Sequence, residues 1–92
     1  MAYDISPTSI ATSAATADTS ADLICAARNT RQTVSIRNLE SGADAYIGAA
    51  GVATATGYLL KQGEILNLDT KAAIYAITAS GTASFDILET YW

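Results

Sequence analysis

A serine or cysteine nucleophile paired with a base is the first chemistry to look for in this chain, and the sequence has no His and no GxSxG turn to support it. Lys61 and Lys71 are the only lysines that a serine could use. Both sit in segments that read as exposed turns, Lys61-Gln62-Gly63 and Asp69-Thr70-Lys71, where nothing depresses a lysine pKa. The acids fall in pairs: Asp18 with Asp22, Glu40 with Asp44, and Asp86 with Glu89. None supplies the alternating oxygens around a glycine that a calcium loop requires, so all three pairs read as solvated or turn-making carboxylates. Gly42, Gly48, Gly51, Gly57, Gly63 and Gly81 form neither GxGxxG nor a P-loop ahead of a helix, and read as turn residues. The sequence therefore predicts no enzyme, no cofactor and no metal.

What remains is equipment for contact. Cys25, in Leu-Ile-Cys-Ala-Ala, reads first as a small buried hydrophobe; an intermolecular disulfide or reactive thiol is the alternative, with no His or CxxC behind it. Arg28, Arg31 and Arg37 form the one basic cluster. On a regular strand Arg31 and Arg37 share a face. They would be solvated or locally paired there, or make bidentate bonds to carboxylates of a neighbouring subunit. Tyr91 and Trp92 end the sequence as candidate interface anchors, or else pack back on their own domain. Tyr3 and Ile5, beside Pro7, are candidates of the same kind. The candidate interface is thus Tyr3, Ile5, Arg28, Arg31, Arg37, Tyr91 and Trp92.

The elements that must carry these residues are strands. Ala, Ser and Thr dominate residues 8–27, and the large apolar residues there do not recur at helical spacing, so the stretch reads as extended. Pro7 suits an arm or an edge strand. From Gln32 the alternation sharpens: Val34 and Ile36 oppose Thr33, Ser35 and Arg37, followed by the loop signature Glu-Ser-Gly-Ala-Asp. A short strand at 45–48, two strands around Lys61-Gln62-Gly63, and a hairpin of 73–78 with 82–88 complete the pattern. Seven or eight short antiparallel strands with little or no helix predict an all-β, jelly-roll-like sandwich, an incomplete barrel being the runner-up. Residues 1–20 are expected as an N-terminal arm or edge strand and 21–92 as the domain. The expected core is Leu23, Ile24, Val34, Ile36, Leu39, Tyr46, Ile47, Val52, Leu59, Leu66, Leu68, Ile74, Ile77, Phe85 and Ile87, with Tyr75 beside them.

Bulk properties narrow the partners. A 92-residue chain makes one domain, buries roughly 60 to 65% of its extended surface, and gains from association with copies of itself. A net charge of −4 repels the phosphate backbone, which argues against nucleic acid. No apolar run approaches the length of a membrane span and no signal-like start is present, so synthesis in a cytoplasm without membrane attachment is expected.

Four segments carry a resemblance: Asn29-Thr30-Arg31-Gln32-Thr33-Val34-Ser35-Ile36-Arg37-Asn38-Leu39, Ala45-Tyr46-Ile47-Gly48, Gly57-Tyr58-Leu59-Leu60-Lys61-Gln62-Gly63-Glu64, and Ala73-Ile74-Tyr75-Ala76-Ile77-Thr78. Together, over roughly residues 28–89, they resemble small β-rich virion proteins of tailed bacteriophages, of the head decoration (cement) or head-fibre base type. The shared pattern is one of strands and turns and transfers no site residue. The resemblance implies a β-sandwich, a homotrimer, attachment to the major capsid protein on the outside of the head, and stabilisation of that shell. An adhesion module on a tail or fibre is the alternative, with Tyr58 and Tyr91 as the candidate platform for a glycan. A component of the head–tail connector is a third.

Overall fold

The computed structural model describes residues 7–92 and consists of eight strands joined by turns. They are β1 (Ser9–Ala17), β2 (Asp22–Cys25), β3 (Arg31–Asn38), β4 (Ala45–Gly48), β5 (Tyr58–Leu60), β6 (Ile65–Leu68), β7 (Ile74–Ile77) and β8 (Ala83–Tyr91). Two four-stranded antiparallel sheets result, in the orders β1-β8-β3-β6 and β2-β7-β4-β5. The pairing has a simple origin: β1 meets β8, β2 meets β7, β3 meets β6 and β4 meets β5. One long hairpin, rolled so that successive strands alternate between layers, gives this order, which is the jelly-roll arrangement. Of the stretch expected as an N-terminal arm or edge strand, residues 9–17 supply β1, an outer strand of the first sheet.

Between the layers lie Ile24, Val34, Ile36, Ala45, Ile47, Leu60, Ile74, Ala76, Ala83, Phe85 and Ile87, with Leu66 and Leu68 packed against them. Alanine fills many of these positions, so Phe85, fully buried, is the largest apolar side chain in the interior. Three turns use glycines with positive φ, Gly51 and Gly63 at 80° and Gly81 at 75°, a conformation that costs glycine little.

Several residues expected in the core lie elsewhere. In β7, Ile74 and Ala76 point inward while Tyr75 and Ile77 point out; in β4, Ala45 and Ile47 point inward while Tyr46 points out. Leu59, opposite Tyr46, is 40% exposed, and Leu60 takes the core position instead. Leu23, opposite Tyr75 on the outer face, is 51% exposed, and a register shift after it lets both Ile24 and Cys25 turn inward. Both faces of the second sheet are apolar, so alternation alone gives no way to choose between them. Val52 is buried, yet against the outer face: space left by Gly48 and Gly57 lets the β4–β5 connection approach, and a Cβ at Gly57 would stand 2.6 Å from Tyr46 Cβ.

Candidate functional site

The largest fully buried side chain is charged. Arg31 opens β3, where the register against β8 shifts by one residue between Arg31 and Thr33. That bulge reverses the parity of the strand. Arg31 therefore turns inward with Val34 and Ile36, while Arg37 stays outside and pairs with Asp86 at 2.5 Å. The expectation that Arg31 and Arg37 share a face fails for this reason. Arg31 as a contact to a neighbouring subunit fails with it, since its guanidinium is spent within the chain.

Its main partner is Glu89, 7% exposed, at 2.7 Å from Nη1. Glu89 was expected to be a solvated acid paired with Asp86; it follows Ala83, Phe85 and Ile87 on the inward phase of β8, and that phase was the signal in the sequence. Arg31 Nη1 also donates to the Ala26 carbonyl at 2.9 Å and to Cys25 Sγ at 3.3 Å; Nε donates to the Thr70 carbonyl at 2.8 Å and Nη2 to that of Ala72. Cys25 Sγ donates in turn to Glu89 Oε1 at 3.2 Å. Arg28 reaches Glu89 Oε2 at 3.5 Å, and its guanidinium carbon stands 3.9 Å from the centre of the Tyr91 ring. One guanidinium thus ties the β2–β3 connection, the β6–β7 connection and the end of β8 into a single end of the sandwich. A buried ion pair of this kind is tolerated only when its remaining hydrogen-bonding capacity is satisfied.

These surroundings set the titration of the cluster. Burial pushes the Cys25 thiol up from 9.0 to about 11, reinforced by its bond to Glu89 and by the negative charge there. For Glu89, burial works to raise the carboxyl; the bonds from Arg31 and Cys25 and the nearby Arg28 outweigh it and hold the group below its usual value. The two shifts act at opposite ends of the pH scale. Glu89 contributes stability above the ordinary carboxylate range, and that stability is lost as pH falls through its lowered folded value. Cys25 stabilises the fold below pH 9.0, and this is lost as pH rises toward 11, because the unfolded chain releases the proton first. Between pH 8 and pH 10.5, wild type should lose about 2 kcal/mol more stability than Cys25→Ala, read from urea midpoints. Parallel losses in the two proteins would remove the thiol from the account.

The other candidate interface residues separate. Tyr91 lies beneath Arg28, half-buried; Trp92 is 44% exposed, its backbone N–H donating to the Thr30 carbonyl at 3.1 Å. Tyr3 and Ile5 lie outside the described residues.

Two apolar surfaces were not legible in the sequence. The first is the outer face of the second sheet, where Leu23, Tyr75, Tyr46, Ile77 and Leu59 stand on neighbouring strands. The second is a groove of about 460 Å³ where the sheets part between β5 and β6, lined by Ile47, Leu66, Leu68 and Ile74, with Tyr58 at 58% exposure beside them. By contrast the outer face of the first sheet carries polar pairs: Thr33 with Thr90, Ser35 with Asn67, and Arg37 with Asp86.

No protein-family model matches the chain, and no curated protein matches it. Solved structures do share its fold. The stem and receptor-binding domain of the spike protein P1 from bacteriophage PM2 aligns over 87% of this chain with a TM-score of 0.67 and 10% identity. This chain spans 32% of that spike chain. A protein of Bacillus endospore appendages, described as disulfide-linked pili, aligns over 90% of this chain and 84% of its own at a TM-score of 0.51 and 16% identity.

Proposed function

We propose that this protein is a structural component of a phage virion, and within that class a decoration protein that binds the outside of the head. The observation that carries the reading is the fold shared with a phage spike domain across 87% of the chain. The contact surface is the outer face of the second sheet. Leu23 and Leu59, 51% and 40% exposed, flank half-buried Tyr46, Tyr75 and Ile77 there, and burying such a patch against a shell subunit supplies the attraction. Copies repeated over a lattice make weak individual contacts sufficient. A trimer, which the sequence resemblance implies, would present three such faces to the major capsid protein.

Purified heads provide the test. Wild-type protein should cosediment with heads stripped of it and raise the temperature at which they release DNA. Leu23→Lys with Leu59→Lys should abolish both effects while leaving the circular dichroism spectrum unchanged. Retention of the double variant would remove this face from the reading, and failure of wild type to bind heads would remove decoration.

A second reading, host adhesion, has its own observation: the PM2 neighbour comprises the stem and receptor-binding domain of a spike, and Tyr58 stands exposed beside an apolar groove. Tyr91, occupied by Arg28, is the poorer platform. Glycan or cell binding lost in Tyr58→Ala would favour adhesion. The disulfide linkage of the spore pili has no ready counterpart at Cys25, which is buried and bonded to Glu89.

A further inference from the structure

The free edge of β1 differs from the other edges of the sandwich. Outer strands invite pairing with other chains, and proteins blunt them with short length, charge, proline or a bulge. β2, β5 and β6 have four, three and four residues, and β2 is bulged as well. β1 runs nine residues in unbroken register with β8, with no charge and no proline in Ser-Ile-Ala-Thr-Ser-Ala-Ala-Thr-Ala. Its Ile10 is 71% exposed, the most exposed large apolar side chain among the described residues. Ser13, at the centre, is exposed although it lies on the inward phase of the strand.

We propose that β1 pairs antiparallel with β1 of a second copy about a two-fold axis at Ser13, fusing two four-stranded sheets into one continuous sheet. The N–H and C=O groups on this edge that have no partner among the described residues then meet their counterparts. In this register Ser13 faces Ser13, Thr12 faces Ala14, and Ile10 faces Thr16. Small residues oppose small ones at the centre, and the exposed Ile10 gains a β-branched neighbour at each end. Charge favours the same arrangement. Copies carrying −4 each repel over most of their surface, whereas this strand is neutral. The two copies of Asp18, at opposite ends of the paired strands, would be about 34 Å apart, well beyond the screening distance of about 8 Å. Edge pairing of this length buries less than the roughly 800 Å² per partner of a standard interface, so the association should depend on concentration. It is independent of virion attachment, because the apolar face of the second sheet is left free.

Sedimentation velocity of the full chain from micromolar to millimolar concentration tests the pairing. Wild type should double its mass as concentration rises, because a two-fold pairing joins two copies of whatever assembly the dilute protein forms. Ser13→Lys, which sets two ammonium groups opposite each other at an exposed position, should weaken association at least tenfold. Ile65→Lys, on the far edge of the same sheet, should leave it unchanged. Under mild oxidation Ser13→Cys should form a covalent dimer, while Leu59→Cys and wild type, with only Cys25, should not. A monomer at every concentration would overturn the proposal, as would self-association that Ser13→Lys does not alter. Equal cross-linking at positions 13 and 59 would do the same.

Discussion

Arg31→Met should lower the stability of the domain by about 3 to 5 kcal/mol, the cost of breaking a buried ion pair from one side. Glu89 would keep its charge in a buried setting with Arg28 as its remaining cation and the Cys25 thiol as its remaining donor, and the carbonyls of Ala26, Thr70 and Ala72 would lose a donor. A domain of this size has about 5 to 14 kcal/mol in all. The melting temperature should therefore fall by about 12 °C or more, at about 4 to 8 °C per kcal/mol. Arg31→Met with Glu89→Leu should recover part of the loss, because no isolated charge is left behind, though the three carbonyls remain short of a partner. A single variant melting within a few degrees of wild type would show that the cluster does not hold this end of the sandwich together.

Phe85→Ala should cost about 3 to 5 kcal/mol, in the range of aromatic truncations in cores. Phe85 is fully buried, and Ala17, Ala45, Ala76 and Ala83 belong to the same core, so few large neighbours can move into the space left. Phe85→Leu keeps most of the volume and should cost about 1.5 kcal/mol or less. Urea midpoints at neutral pH separate the two variants. Equal, small losses would mean that the layers close over the gap and that the interior does not depend on one ring.

The two effects bear on assembly in different ways. Arg31 and Glu89 join residues far apart in sequence at one end of the molecule. The faces proposed to meet partners lie elsewhere, on the second sheet and at the β1 edge, so a variant that weakens binding without lowering the melting temperature reports on those surfaces. Loss of both reports on the scaffold. This distinction gives the head-binding and sedimentation experiments a common control.

Strand positions were readable because a half-buried strand needs opposite chemistry on its two faces: Val34 and Ile36 against Ser35 and Arg37, and Phe85 and Ile87 against Asp86. Turns were readable because Gly63 and Gly81 adopt positive φ that other residues resist. Those local preferences determined an all-β chain of short antiparallel strands. Which face of the second sheet became core was decided only by packing, since Tyr75 and Ile77 are as apolar as Ile74 and Ala76 and their period is the same. The inward turn of Arg31 was decided there too: a one-residue bulge flips a strand's parity, and it is stable here because Glu89, Cys25 and three carbonyls converge on the guanidinium from distant parts of the chain. Local propensity acts over a few residues, whereas the cost of burying a charge is met only when the fold brings its partners together.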